Sequence, residues 1–404
     1  MSTTQPRTSK QATRRTFLAG AEGGDSMSGN SRSTETTRRR FVLTAGLATA
    51  ATITAPAVVS AQGPISMRWQ STWPSKDIFH EYALDYAKKV NDMTGGDLKI
   101  EVLPAGAVVP AFQLIDAVSK GTLDGGHGVL VYHYGKQTAL ALWGSGPGYA
   151  MDANMLLAWH KYGGGKELLE KLYNSIGANV VSFPYGPMPT QPLGWYKKPI
   201  TKADDFKGLK FRTVGISIDV FQGLGAAVNA LPGGEIVAAM DRGLLDAAEF
   251  NNASSDRALG FADVAKVCML QSYHQNAEQF EITFNKTKYD ALPDKLKAII
   301  ANAVEAASQD MQWKAIDRYS QDYITLQTTD KVKFYKTPDS VLKRQLEVYD
   351  EVVKKYAATN PLFKEIVESQ LAFAKRATQW EQDTVVSRRM AFEHYWGANA
   401  KKPI

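Results

Sequence analysis

Three side chains stand where they could act on a small anion or a cation. Arg212 closes the alternating stretch "FKGLKFRTVG" and is followed by a turn; a guanidinium at a strand end can fork onto a carboxylate. Gln191, in "PTQPLGWYKKPI", lies just ahead of a strand that includes Trp195, and its amide oxygen suits a cation or a hydroxyl. Glu249 follows apolar and small residues in "LLDAAEF", so its carboxylate is either paired with something specific or exposed at a sheet edge. Catalytic signatures do not accompany them. No G-x-S-x-G, H-E-x-x-H, Walker loop or C-x-x-C occurs beyond residue 61. The six histidines (His80, His127, His133, His160, His274 and His394) are scattered. His127 and His133 are spaced poorly for one helix face, so satisfied core or surface roles are expected of them rather than metal binding. "YGGGKEL" at Tyr162 is not a dinucleotide fingerprint and reads as a loop or helix start. Cys268, the single cysteine, sits in the apolar run "AKVCMLQ", which implies a buried inert thiol and excludes an internal disulfide.

What must position these residues is an α/β framework. "ISMRWQSTW" (Ile65 to Trp73) alternates as a strand. "SKDIFHEYALDYAKKVNDMTGG" has an Asp start, helical apolar spacing and a Gly-Gly stop, and "DLKIEVLP" alternates again. Strand, helix, strand is a parallel α/β unit. An internal echo extends the pattern: "DAVSKGTLDGGHG" (Asp116 to Gly128) and "AAMDRGLLDAAEF" (Ala238 to Phe250) share Ala-Val/Met-x-Lys/Arg-Gly-x-Leu-Asp. In each, a helix ends on a basic residue, Gly121 or Gly243 takes the left-handed cap, and Leu-Asp leads into a strand. This is one corner built once in each of two lobes. Ligands of open α/β sheets bind beyond the carboxyl ends of strands, which points to His127–Tyr134 after the first corner and Glu249–Asn252 after the second. Two such lobes facing one cleft, without catalytic dressing, describe a binding protein for a small solute. From Pro293 onward the pattern is mostly helical, and Pro361–Trp396 is expected to run as one helix of about 50 Å.

Charge and targeting fit an exported protein. Residues 1–61 carry eight Lys or Arg against three Asp or Glu, which is +5 of the chain's +6. The remaining 343 residues are almost neutral, so the basic pI belongs to the N-terminus and no nucleic-acid partner is implied. Two arginine pairs occur, in "ATRRTFLAG" and in "TTRRRFVLTAG". Only the second is followed by an uncharged apolar stretch, Phe41 to Ala61, ending Val59-Ser60-Ala61; it reads as a twin-arginine export signal with cleavage before Gln62. Translation could start at Met1 or Met27. No later segment approaches 18 uninterrupted apolar residues, and a soluble periplasmic protein is expected. The expected division is 1–61 extension and signal, 62–185 first lobe, 186–290 second lobe, and 291–404 a helical region spanning both.

Three long stretches carry a specific resemblance: "AGAVVPAFQLIDAVSKGTLDGGHG", "FKGLKFRTVGISIDVFQGLGAAVNALPGGEIVAAMDRGLLDAAEF" and "FNKTKYDALP". They resemble the solute-binding subunits of TRAP transporters, the tripartite ATP-independent periplasmic importers, and most of all the branch binding 2-oxo and 2-hydroxy monocarboxylates such as pyruvate or lactate. The resemblance spans nearly the whole chain after the signal. It implies a two-lobed, type II-like periplasmic binding fold and delivery of an organic acid to membrane permease subunits. It also implies a Na⁺ or Ca²⁺ ion bound with the acid, and no organic cofactor. By position, Arg212 would pair with the ligand carboxylate, Tyr132 would hydrogen-bond it, and Gln191, Glu249 and the Phe250 carbonyl would hold the cation. Gln275 stands where that branch has a glutamate cation ligand, Phe250 where a tryptophan is usual, and "GPMPTQ" replaces a polar stretch. One protein carboxylate and one ligand carboxylate would leave about −1 with a monovalent ion and zero with a divalent one, so either fits. Relatives of this branch exchange a C-terminal helix between subunits, and a homodimer on Pro361–Trp396 is expected. Two other classes stay open at this stage: a secreted α/β enzyme for small carboxylates with Glu249 as general base, and a ligand-presenting sensor protein.

Overall fold

The computed structural model describes residues 63–397. The arginine pairs, the export signal and the choice of start codon lie outside the described residues.

Eleven strands among the described residues form two sheets. They are β1 (Ile65–Ser71), β2 (Leu98–Leu103), β3 (Gly125–Val129), β4 (Val180–Met188), β5 (Gly194–Tyr196), β6 (Lys210–Arg212), β7 (Ala227–Asn229), β8 (Ala247–Ala248), β9 (Val267–Leu270), β10 (Glu278–Asn285) and β11 (Lys333–Lys336). The first sheet has the order β2-β1-β3-β10-β4 and the second β11-β9-β5-β8-β6-β7. In the first, β1 runs parallel to β2 and β3, while β10 is antiparallel to β3 and β4. In the second, β6 is parallel to β7 and β8, and β5 is antiparallel to β8 and β9. Each sheet therefore completes itself with an antiparallel strand that the chain brings across from the other.

The sheets interleave along the sequence. β10 falls in the stretch 186–290 expected to form the second lobe, yet it pairs in the first sheet; β11, from the helical 291–404 stretch, edges the second. The reason is burial. All eight residues of β10 are buried, and only a slot paired on both sides satisfies the backbone of such a strand.

The two Leu-Asp corners adopt the same geometry. Gly121 and Gly243 have φ of 76° and 72°, the left-handed region that a side chain opposes. The aspartate after each clamps the neighbouring parallel strand. Asp124 N donates to Arg68 O at 2.9 Å and its Oδ2 accepts from Arg68 N at 2.6 Å. Asp246 N donates to Lys210 O at 2.8 Å and its Oδ2 accepts from Lys210 N at 3.0 Å.

Helices cover both sheets. Ile78–Met93 starts on Asp77, whose side chain caps Phe79 N, and buries Phe79, Tyr82 and Tyr86. The 35-residue helix Asp294–Thr328, about 52 Å long, packs against β4, against Ile78–Met93 and against the helix Ala253–Leu259 that follows β8. It thereby crosses both sheets. The expected single helix Pro361–Trp396 is two: Pro361–Thr384 and Arg388–Trp396. The β-branched pair Val385-Val386 sits at the break, and Ser387 caps the second segment by accepting from Met390 N at 3.2 Å. Among the described residues no helix is long and apolar enough to cross a membrane.

Candidate functional site

Arg212 is the last residue of β6 and Glu249 the first after β8, its parallel neighbour, so the two strand ends present them side by side. Arg212 Nη1 donates to Glu249 Oε1 at 2.8 Å and to Glu249 O at 3.1 Å, and Arg212 Nε donates to Leu231 O at 2.8 Å. Both side chains are buried, with 1% and 0% of their surface exposed. Arg212 Nη2 and Glu249 Oε2 have no hydrogen-bond partner among the described residues. The strand end is sharp because Gly215 turns at φ 65° against Ser145, whose hydroxyl accepts from Ile216 N at 3.2 Å.

The crossings between the sheets supply the facing groups. Gln191 lies between β4 and β5; Gln275 lies between β9 and β10. Gln191 N donates to Gln275 O at 3.2 Å, which ties the crossings together. Gln191 Nε2 donates to Glu278 Oε2 at 2.7 Å, while Gln191 Oε1 and Gln275 Oε1 have no partner among the described residues. Burial pushes the Glu278 carboxyl well above the usual carboxylate range, and the nearby Glu249 pushes it further. Burial raises Glu249 as well, against the opposing pull of Arg212.

Gln191, Arg212, Gln275 and Glu278 line one cavity of about 20 Å³, and Glu249 stands beside it through its bond to Arg212. Its polar wall is Gln191, Arg212, Gln275, Glu278, Asn251 and Tyr132. Its apolar wall is Trp73, Phe79, Val129, Met188, Val214 and Phe250. Burial pushes the Tyr132 phenol up to about 12, so it stays a neutral donor. The Phe250 ring lies under the Arg212 guanidinium at 5.8 Å, a cation–π contact. All six residues singled out from the sequence (Tyr132, Gln191, Arg212, Glu249, Phe250 and Gln275) thus come together here.

Two residues at or behind this cavity escaped sequence reasoning. Glu278 is the first residue of a strand buried on both faces, so no alternation marks it. Asp256 sits behind the site: its Oδ2 accepts from Trp195 Nε1 at 2.7 Å, and its Oδ1 from Asn251 N at 3.1 Å and Asn252 N at 3.3 Å. It holds the segment that carries Glu249 and Phe250. Burial pushes Asp256 up to about 7, against three N–H donors that favour the ionised form. The other candidates are structural. His127 Nδ1 accepts from Trp73 Nε1 at 2.8 Å, so its Nε2 carries the proton and donates to the Tyr185 hydroxyl. Burial lowers His127 to about 3 and keeps it neutral. Cys268 is buried in β9. Among the described residues no group of three His, Cys, Asp or Glu could hold a metal by itself; a cation at this cavity would need amide oxygens too.

Residues 70–360 match the DctP family, described as bacterial extracellular solute-binding protein, family 7. The chain belongs to this family. It is a TRAP solute-binding protein, with the mixed α/β architecture and long C-terminal helices expected from its sequence. A monocarboxylate 2-oxoacid-binding periplasmic protein of Nostoc sp. is 32% identical over 353 residues, covering 85% of this chain and 96% of that one. Among solved structures, a TRAP transporter solute-binding protein from Bordetella bronchiseptica is 28% identical with a TM-score of 0.77, covering 83% of this chain and 97% of that one. It is a mixed-occupancy dimer with copurified calcium and picolinate in one active site. A TRAP solute-binding protein from Pseudoalteromonas atlantica, with sodium and pyruvate bound, is 27% identical with a TM-score of 0.76, covering 82% of this chain and 99% of that one.

Proposed function

We propose that the cavity captures a small 2-oxo or 2-hydroxy monocarboxylate together with a cation and that the protein delivers the acid to TRAP permease subunits. One observation carries this: a buried guanidinium nitrogen and three buried oxygens, on Arg212, Gln191, Gln275 and Glu249, are without partners among the described residues, the first three in the cavity wall and Glu249 bonded to Arg212 beside it. Buried polar groups are normally paired, and leaving one unmade costs about 1–3 kcal/mol. Such a set is a template for a ligand that accepts at one end and for an ion that is ligated at the other. Arg212 Nη2 suits the carboxylate and Tyr132 a second oxygen. Gln191, Gln275, Glu249 and the Phe250 carbonyl would hold the cation, whose positive charge would draw the acid's carboxylate and keto or hydroxyl oxygen into one place.

Size and wall chemistry support a monocarboxylate. The cavity, about 20 Å³, is far below the range of drug-sized pockets, about 300–1,000 Å³, which favours the smallest acids. Arg212 is the one cationic residue on its wall among the described residues, and the opposite side is aromatic and aliphatic. A second carboxylate would be buried there unpaired. A pyruvate-sized ligand has about six heavy atoms, whose ceiling near 1.5 kcal/mol each allows roughly micromolar affinity or slightly better. The test is a thermal-shift and calorimetry screen of C2 to C6 oxo, hydroxy and dicarboxylic acids, with and without EDTA. A monocarboxylate at a hundredfold excess over Kd should stabilise by ~2.7 kcal/mol. Turnover of the acid, or selection of dicarboxylates, would defeat the proposal.

Export by the twin-arginine route and a homodimer belong to the same proposal. The arm Arg388–Trp396 supports the dimer: Met390, Tyr395 and Trp396 are each at least 65% exposed, as is Trp380 before it. A protein that scatters light as a monomer of about 38 kDa at micromolar concentration would remove the dimer. An N-terminus other than Gln62 on exported protein would remove the assigned signal.

A further inference from the structure

We propose that Glu278 is a second carboxylate ligand of the cation and that it makes the cavity selective for a divalent ion. This rests on the cation-assisted binding proposed above, and it settles a point that likeness leaves open, since similar proteins hold calcium in one case and sodium in another.

The placement of Glu278 is built rather than incidental. It begins β10 at the crossing where Gln191 and Gln275 meet, it is 3% exposed, and it lines the cavity. Room for it comes from Gly144: a Cβ there would lie 2.7 Å from Glu278 Cγ and 3.2 Å from its Oε1. Its side-chain partner at 2.7 Å is the amide of Gln191, a neutral group. The cation nearest in the cavity wall, Arg212, is committed through Nη1 to Glu249 at 2.8 Å. Ionised by a bound cation, Glu278 would bring a second carboxylate charge to the site, with no ion pair of its own among the described residues. Gln275 adds an amide oxygen and no charge.

Charge counting then chooses the ion. With a bound cation holding both carboxyls ionised, Glu249, Glu278 and a ligand carboxylate sum to −3, and Arg212 brings the site to −2. A monovalent ion leaves −1 in a closed, water-poor cavity, where net charge is costly. A divalent ion leaves zero. Oxygen ligands from carboxylates, side-chain amides and a backbone carbonyl are the set that Ca²⁺ accepts, with affinity rising with ligand charge.

The experiment uses the full chain after its signal, stripped with EDTA, and three probes: Ca²⁺ by calorimetry, Na⁺ as competitor, and Tb³⁺ luminescence sensitised by Trp73 in the cavity wall. The wild type should bind one Ca²⁺ per chain without any organic acid, displace Tb³⁺ with Ca²⁺, and resist displacement by 100-fold more Na⁺. Glu278→Gln should lower Ca²⁺ affinity about 10–100-fold and weaken pyruvate binding in Ca²⁺ with it, while pyruvate binding in Na⁺ falls by a smaller factor. Gly144→Ala, which crowds Glu278 without touching its charge, should lower Ca²⁺ affinity in the same direction, and it covers the case in which Glu278→Gln fails to fold. Acid binding that needs a cation but is indifferent to both variants would overturn the role of Glu278 alone. Equal support of acid binding by Na⁺ and Ca²⁺ would overturn the divalent selectivity. Acid binding unaffected by EDTA in the wild type would overturn the cation reading as a whole.

Discussion

His127 and Glu249 occupy the same place in two copies of one corner, three residues after Asp124 and Asp246, and they have opposite fates. The backbone is alike: a left-handed glycine, an aspartate clamping the next strand, a parallel strand leading toward the cleft. At the first corner the polar side chain is fully satisfied by Trp73 and Tyr185 and stays neutral. At the second it is ionisable, half-satisfied by Arg212, and one oxygen has no partner among the described residues. A repeated frame thus yields a structural core on one side and the proposed binding site on the other. The difference lies in which polar groups the fold leaves unpaired.

That contrast can be broken most severely at Arg212. Arg212→Ala should abolish measurable acid binding, a loss of about 2–5 kcal/mol or thirty- to several-thousandfold, because it also strands the Glu249 charge. Unchanged affinity by calorimetry would remove Arg212 from the site. The equivalent positions should then part company. His127→Ala leaves Trp73 Nε1 and the Tyr185 hydroxyl unpaired, and should lower unfolding free energy by ~2–4 kcal/mol in urea titrations. Glu249→Gln should spare the fold and weaken cation and acid together by at least about tenfold.

A third test concerns a carboxylate on the first side that is satisfied only in part. Asp77 accepts from Phe79 N at 3.1 Å and from the Ser255 hydroxyl, while its Oδ2 has no partner among the described residues. Burial raises it to about 6. A raised folded-state pKa means stability that is complete below about pH 3.8 and lost as pH rises through 6. Wild-type stability relative to Asp77→Asn should therefore grow by ~1.4 kcal/mol between pH 8 and pH 5. A flat difference across that window would show that Asp77 is ionised throughout. The smallest effect should be the most symmetrical: Gly121→Ala and Gly243→Ala should each cost about 1 kcal/mol in thermal melts, with acid affinity unchanged in both.

Much of this was legible before the structure because the signals are local. The cap of Ile78–Met93 at Asp77, the two left-handed glycines and the strand-end position of Arg212 each depend on residues within a few positions. The convergence of Tyr132, Gln191, Arg212, Glu249, Phe250 and Gln275 was legible through likeness to a family. Glu278 and Asp256 were not, because what defines them lies far along the chain: Gln191 is 87 residues from the one and Trp195 is 61 from the other. The break after Thr384 was written locally, in two valines and a capping serine, but amphipathic spacing on either side hid it.

The interleaving of the sheets sets the order in which the molecule can be completed. The first sheet waits for β10 at Glu278–Asn285 and the second for β11 at Lys333–Lys336, so neither half is finished by an uninterrupted stretch of chain. A ribosome that has released only the first 275 residues holds two open sheets, each with an unfilled hydrogen-bonding edge. Such nascent chains are slow to fold and prone to pair with the wrong edge. Chaperone protection during synthesis should therefore raise the yield of folded protein, and the two lobes should be won or lost together in a single cooperative step.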